Sequence, residues 1–227
     1  MKKLVIFDLD DTIYAEKQYN LACYRAASDK FYEDFKVDIY PYIFQEFNQG
    51  NYRDLFSLAI KEVGVECSED YIRNELVSTY RSFQPELTPY KGFERHIDNL
   101  RDKYALAIIT DGPLDIQKAK IKALGISEYF DVILCSSELG ADVRKPSAQP
   151  YEYVLNKLGM SYKDSVYIGD NKKKDFVYPN SSGMHSIHIL NKVENDNLIY
   201  GRQDGESAQH YCESYEELVM LLESIFE

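Results

Sequence analysis

The sequence predicts an α/β protein built on a doubly wound, mainly parallel sheet into which an α-helical domain is inserted. Five short apolar runs stand out: Leu4–Phe7, Ala105–Ile109, Val132–Leu134, Ser165–Ile168 and Ser186–Leu190. Most are β-branched or aliphatic and too short for helices, which suits strands buried on both faces of a parallel sheet. Helical stretches alternate with them, as right-handed crossovers require. Finally, roughly 100 residues separate the first run from the second, far more than a crossover helix needs.

Taken in order, Met1-Lys2-Lys3 followed by Leu4–Phe7 faintly imitates an export signal. The apolar run ends after four residues at Asp8, however, and no cleavage pattern follows, so it reads as a strand. Residues 15–86 then read as helical, over Tyr19–Phe35, Pro41–Phe47, Tyr52–Val63 and Ser68–Phe83, with breaks at Lys36–Tyr40, Gln49-Gly50-Asn51 and Gly64–Cys67. An insertion at the carboxyl end of strand one would cover the place where open α/β sheets bind ligands. The expected division is therefore a core of residues 1–14 and 87–227 with a helical cap of residues 15–86. Core helices are expected at Phe93–Lys103, Leu114–Leu124, Pro150–Leu158 and Lys172–Asn180. Val193–Gln209 is polar and reads as a loop. Ser214-x-x-Glu217 then opens a capped final helix with apolar Leu218, Leu221, Leu222 and Ile225.

Composition narrows the function. The chain carries 26 basic and 38 acidic residues, a net charge of −12. That charge repels nucleic acid and anionic membrane surfaces, so neither is expected as a partner. It also repels phosphorylated metabolites unless local cations or a metal reverse the field. No run approaches the roughly 20 apolar residues of a membrane span. The four cysteines are scattered without a Cys-x-x-Cys pair, which with no export signal predicts reduced thiols and a cytoplasmic protein. The four histidines show no zinc-ligand spacing.

The most informative stretch is Val5-Ile6-Phe7-Asp8-Leu9-Asp10-Asp11-Thr12. Asp8 and Asp10 are two apart and in extended chain share a side. Two such carboxylates repel, and a divalent cation relieves the repulsion. The plain alternative is a solvated acidic turn. Thr110-Asp111-Gly112 ends the second strand and offers a hydroxyl and backbone N–H groups to a phosphate, or else an ordinary helix cap. Lys145, before Pro146, is a compact cation suited to phosphate or crowded carboxylates, or else a surface lysine. Gly169-Asp170 directly follows the fourth strand, with Asp175 five residues on.

This ordered set resembles the haloacid dehalogenase superfamily of hydrolases, its phosphatase branch with a small helical cap after the first motif on a Rossmann-like core. Asp8-x-Asp10-x-Thr12 matches the first motif, Thr110 the second, Lys145 the third, and Gly169-Asp170 with Asp175 the fourth. The resemblance implies an Mg²⁺-dependent phosphatase acting on a small phosphomonoester such as a sugar phosphate or nucleotide. Asp8 would be the nucleophile and Asp10 the general acid and base. Mg²⁺ would be held by the Asp8 carboxylate, the Asp10 backbone carbonyl and Asp170. Asp175 and Thr12 would support that shell, and Thr110, Asp111, Gly112 and Lys145 would bind the phosphoryl group. Dehalogenases usually lack the second aspartate, so Asp10 argues against carbon–halogen cleavage. Gly50-x-x-Arg53 resembles the specificity loop of hexose-phosphate mutases, where an arginine grips a second phosphate, which makes a mutase the main alternative. Gly169-Asp170-Asn171 through Asp175 looks like the phosphatase branch instead. A non-catalytic binding module is the remaining reading. Departures from the family pattern are Asp11 where glycine is common, Asp111 where asparagine is common, and Ser147-Ala148 after Pro146. Lys172-Lys173-Lys174 is expected to form the solvated first turn of a helix.

Overall fold

In the computed structural model, which describes residues 2–191 and 205–227, contacts divide the chain into two compact units. One comprises Met1–Ala15 with Leu87–Glu227, the other Glu16–Glu86. The chain enters through β1 (Lys3–Phe7), whose last four residues are buried.

The Glu16–Glu86 unit is helical throughout: α1 (Glu16–Phe35), α2 (Tyr40–Asn48), α3 (Leu55–Glu62), α4 (Glu69–Tyr71) and α5 (Ser78–Ser82), the last two joined by a π-helical turn over Ile72–Val77. Its core gathers Ala27 and Phe31 of α1, Ile43 of α2, and Phe56, Ala59 and Ile60 of α3 around Leu76. The aromatic side chains here are packing groups: Tyr24 lies 5.4 Å from Phe56 and 4.8 Å from Tyr80, ring to ring. Such ring pairs add to the burial of large apolar area.

The rest of the chain is an α/β unit: α6 (Phe93–Lys103), β2 (Tyr104–Thr110), α7 (Leu114–Leu124), β3 (Val132–Cys135), α8 (Ala148–Leu158), β4 (Ser165–Gly169), α9 (Val177–Ser182), β5 (His185–Ile189), β6 (His210–Cys212) and α10 (Tyr215–Phe226). The sheet has six strands in the order β3-β2-β1-β4-β5-β6, and every pair is parallel. All seven residues of β2 and all five of β4 are buried, which is why these strands read as unbroken apolar runs. Leu4, Ile6, Ala107, Ile109 and Tyr167 pack under Tyr151, Val154 and Leu155 of α8. The terminal helix is capped as its sequence suggests: Ser214 Oγ accepts from Glu217 N at 3.3 Å, and Glu217 Oε2 accepts from Glu213 N at 2.8 Å.

β1 pairs with β2 on one side and β4 on the other, so the chain order reverses direction at β1. Open α/β sheets bind ligands at the carboxyl ends of the strands flanking such a reversal. Phe7 stands level with Ile108 and with Ile168. Asp8, Thr110 and Asp170 therefore emerge side by side, one or two residues past those partners.

Two expectations need correction. β6 is a sixth strand beyond the five expected, between the expected loop and the final helix. The helix expected over Lys172–Asn180 begins only at Val177, and residues 172–176 form turns. The expected Val193–Gln209 loop falls, up to residue 204, outside the described residues.

His188 of β5 gives a stability prediction. It is 1% exposed, and neither ring nitrogen has a hydrogen-bond partner among the described residues. Burial, with a smaller push from Lys172, lowers it to about 4, against the opposing pull of Asp175. The unfolded chain, at about 6.5, takes up the proton first, so this penalty is absent above that pH. As pH falls from about 6.5 to about 4, stability falls by up to roughly 3 kcal/mol. His188→Leu is expected to raise the melting temperature at neutral pH and to flatten its fall with acid. Thermal denaturation between pH 7 and 4 checks both.

Candidate active site

Asp8 leaves the end of β1 with its backbone N–H donating to Ile168 O at 2.8 Å, so the neighbouring strand fixes its root. It is 1% exposed. Its Oδ1 lies 2.8 Å from Lys145 Nζ. Its Oδ2 accepts no hydrogen bond among the described residues and lies 3.8 Å from Lys174 Nζ. One oxygen is thus anchored and the other left open. Burial raises the Asp8 carboxyl above its ordinary value, against the opposing pull of Lys145 and Lys174.

Lys145 is buried among three partners. Besides Asp8, its ammonium pairs with Asp175 Oδ1 at 2.9 Å and donates to Tyr167 OH at 2.7 Å. Burial favours losing that proton, but the charges of Asp175 and Asp8 outweigh it and raise the group. Tyr167 of β4 is not among the site residues the sequence predicts. Ser147, where the family pattern commonly has aspartate, caps α8 by accepting from Gln149 N at 3.4 Å.

The fourth segment closes on itself. Asp175 Oδ2 accepts from Asp170 N at 3.2 Å and Asn171 N at 2.9 Å. Burial would raise Asp175, yet Lys145 and Lys174 together hold it below the ordinary carboxylate value. Gly169 is demanded here, since a Cβ would stand 2.5 Å from Asp175 Oδ2. At Asp170 the pull of Lys174 is weaker than the pushes against it. Burial, then Asp175, Asp11 and Asp8, push it well above the usual range. Oxygens of Asp8, Asp170 and Asp175 all lie within 4.8 Å of one another. A buried trio of carboxylates, in which Asp8 Oδ2 and Asp175 Oδ1 accept no hydrogen bond among the described residues, fits a hard divalent cation such as Mg²⁺.

Asp10 is placed differently from its expected position beside Asp8. Strand geometry stops at Phe7, and the chain turns through Asp11, whose φ of 54° is left-handed, a conformation aspartate tolerates and glycine favours. The Asp10 carboxylate is not one of the trio formed by Asp8, Asp170 and Asp175. Its Oδ1 accepts from Tyr14 OH at 2.7 Å and pairs with Lys120 Nζ at 2.8 Å, while its Oδ2 accepts from Gln117 Nε2 at 2.9 Å. Burial would raise this carboxyl, but Lys120 and the hydrogen bonds from Gln117, Lys120 and Tyr14 hold it below the usual value.

Thr110 is buried at the end of β2, and its Oγ1 accepts from Gln117 Nε2 at 2.5 Å. Asp111 accepts on Oδ1 from Ser136 Oγ and, at 3.2 Å, from Lys145 N. Its charge thereby ties the third-motif loop to β2. Thr12 is buried and its carbonyl accepts from Tyr215 OH at 2.9 Å, which ties the first-motif turn to α10. Arg53 belongs to the helical unit and is exposed. Lys174, expected in a solvated helix turn, is instead held raised by Asp8, Asp175 and Asp170 despite its burial and the nearby Lys145.

A buried carboxylate, a buried lysine and a trio of acids thus gather at the sheet reversal, where open α/β sheets bind ligands. Residues 5–189 match the model of the haloacid dehalogenase-like hydrolases, and the chain belongs to that family. It is 27% identical to the glyceraldehyde 3-phosphate phosphatase of Methanocaldococcus jannaschii over 99% of each chain. It is 24% identical to the pyrophosphatase PpaX of Halalkalibacterium halodurans over 86% of each. Among solved structures, the Bacillus subtilis protein YfnB bound to magnesium shares the fold with a TM-score of 0.67 at 20% identity, over 97% of this chain and 98% of that one. No helix among the described residues is long and apolar enough to cross a membrane.

Proposed function

We propose that this chain is a magnesium-dependent phosphatase that hydrolyses a small phosphomonoester metabolite through a phosphoryl group carried on Asp8. The carrying observation is the asymmetry of Asp8: Oδ1 is pinned by Lys145, while Oδ2 stays open toward Lys174 beside Asp170. The curated relatives, named as phosphatases of a triose phosphate and of pyrophosphate, support a small phosphorylated substrate.

In the proposed sequence Asp8 Oδ2 attacks phosphorus, and the bond to the ester oxygen breaks as Asp10 gives that oxygen a proton. Water then attacks the phosphorus of the aspartyl-phosphate. The bond to Asp8 breaks, and Asp10 takes the water's proton. Lys120 beside Asp10 favours the carboxylate needed in this second step. The Thr110 hydroxyl, Lys174 and the N–H groups of the Asp111-Gly112 turn would hold the phosphoryl oxygens, where most of the benefit in this chemistry lies. Lys145, paired with both Asp8 and Asp175, acts by neutralising them. Mg²⁺, held by Asp8, Asp170 and the Asp10 carbonyl, would supply charge to offset the crowded oxygens. Residues 15–86 would serve as the cap, with Arg53 contributing to substrate selection.

The test measures phosphate release from triose and hexose phosphates, nucleoside monophosphates and p-nitrophenyl phosphate, with Mg²⁺ and with EDTA. Release that requires Mg²⁺ is expected. Silence across the panel would favour a binding module. Conversion of glucose 1-phosphate to glucose 6-phosphate without free phosphate would replace the phosphatase by a mutase.

A further inference from the structure

We propose that Gln117 and Lys120 of α7 are positioning residues that hold the Asp10 carboxyl in line for proton transfer and couple it to the phosphate-binding hydroxyl of Thr110. The proposal rests on the assignment of Asp10 as general acid and base.

The buried face of α7 is formed by Gln117, Lys120, Ile121 and Leu124, the i, i+3, i+4, i+7 stripe that apolar residues normally fill. Two of its four positions are polar. Gln117 is 1% exposed and Lys120 4%. A buried lysine is tolerated only when paired, and burying the Gln117 Oε1 without a partner among the described residues costs free energy. Leucine or methionine would serve packing better at both sites, so packing does not account for them.

Their contacts do. Lys120 Nζ and Tyr14 OH converge on Asp10 Oδ1, at 2.8 and 2.7 Å, and Gln117 Nε2 takes Oδ2 at 2.9 Å. Donors on both oxygens stop the carboxyl from turning about its last bond. The same Gln117 nitrogen lies 2.5 Å from Thr110 Oγ1 and 2.8 Å from Asp111 O. The two hydrogens of that nitrogen are shared among these three oxygens, and an amide nitrogen does not accept, so the Thr110 hydroxyl hydrogen is not used in this contact and is left to donate to a phosphoryl oxygen. One side chain thereby fixes the spacing between the group that grips phosphate and the group that handles the leaving oxygen. The backbone makes room for it: at Gly112, with φ at +142°, a Cβ would stand 3.1 Å from the Gln117 side chain. Misplacement of a catalytic group by a fraction of an ångström slows chemistry far more than binding.

The experiment compares kcat/KM for p-nitrophenyl phosphate, whose phenolate departs without a proton, with kcat/KM for the alkyl phosphate turned over fastest in the panel. For a phosphoryl-enzyme mechanism kcat/KM reports the steps up to leaving-group departure, while the shared dephosphorylation step enters kcat alone. Asp10→Asn comes first and is expected to depress the alkyl substrate about 100-fold or more beyond the aryl one. Gln117→Leu and Lys120→Met are each expected to depress alkyl kcat/KM by roughly 10- to 100-fold and aryl kcat/KM by less than about 5-fold. Lys120→Arg should restore most of the alkyl activity. Gln117→Asn, one methylene shorter and minimally disruptive, should reproduce the Gln117→Leu selectivity, and these two mild variants carry the test if the larger changes unfold the protein. Parallel losses on both substrates, or no loss, with Asp10→Asn still selective would overturn the positioning role alone. An unselective Asp10→Asn would instead remove the assignment of Asp10 on which it stands.

Discussion

Asp8→Asn is expected to lower phosphate release by at least about 10⁴-fold, the scale seen when a covalent nucleophile is removed, while the fold persists. An amide nitrogen is no nucleophile, and the amide oxygen cannot carry a phosphoryl group as a carboxylate oxygen does. The change is nearly isosteric, and the retained oxygen can still accept from Lys145, whose ammonium lies 2.8 Å from Asp8 Oδ1. The backbone bond to Ile168 O is untouched. Loss of stability is therefore not the expected cause of inactivity, and thermal denaturation will show it. Because burial already raises the Asp8 carboxyl, its charge is costly in the metal-free protein, and neutralising it leaves fewer negative oxygens to offset. The rise in melting temperature on adding Mg²⁺ is thus expected to be smaller in Asp8→Asn than in the parent chain. Turnover within a few-fold of the parent would end the assignment of Asp8 as nucleophile.

The parts of this architecture that sequence patterning reached are those where one physical demand acts alone. β1, β2 and β4 are buried on both faces, so their residues have to be apolar throughout and the runs are plain. Asp8, Thr110 and Asp170 are legible because each follows such a run abruptly. Strand alternation was a poorer guide to Asp10, because it holds only while the chain stays extended; β1 ends at Phe7, and the Asp10 carboxylate pairs with Lys120 of α7. β6, His210-Tyr211-Cys212, is a three-residue edge strand of mixed polarity and offers no period to detect. The run Lys172-Lys173-Lys174 looks like a solvated helix start. Its third lysine is drawn to Asp8 by three-dimensional convergence that no local pattern encodes. Gln117 and Lys120 did carry a signal: polar residues on the apolar stripe with Ile121 and Leu124. Such a break in helical period is readable when each polar residue on a buried face is asked for its partner.

Lys145→Met tests the electrostatic frame itself. Lys145 is 2% exposed and lies within 2.8 Å of Asp8 and 2.9 Å of Asp175. Without it, two buried carboxylates and the neighbouring Asp170 face one another with Lys174 as the cation described near Asp8. Removing one partner of a buried pair costs about 3–5 kcal/mol, because the other charge stays behind. For a chain of this length that is a fall of roughly 6–20 °C in melting temperature. Two further readouts separate this cause from simple loss of packing. Asp175 is held below its ordinary value chiefly against the cost of burial by Lys145, so its charge contributes stability above the unfolded carboxylate range, lost as pH falls through the folded value. That contribution is missing in Lys145→Met, so the gap between the two proteins should narrow as pH falls below about 4. Mg²⁺, which binds the folded cluster and offsets the same repulsion, should raise the variant's melting temperature by more than it raises the parent's. Activity should fall at least about 10³-fold, since an unneutralised Asp8 repels the phosphate it has to attack. A variant that melts with the parent at every pH and keeps its turnover would show that Lys145 neither steadies the acids nor serves the nucleophile.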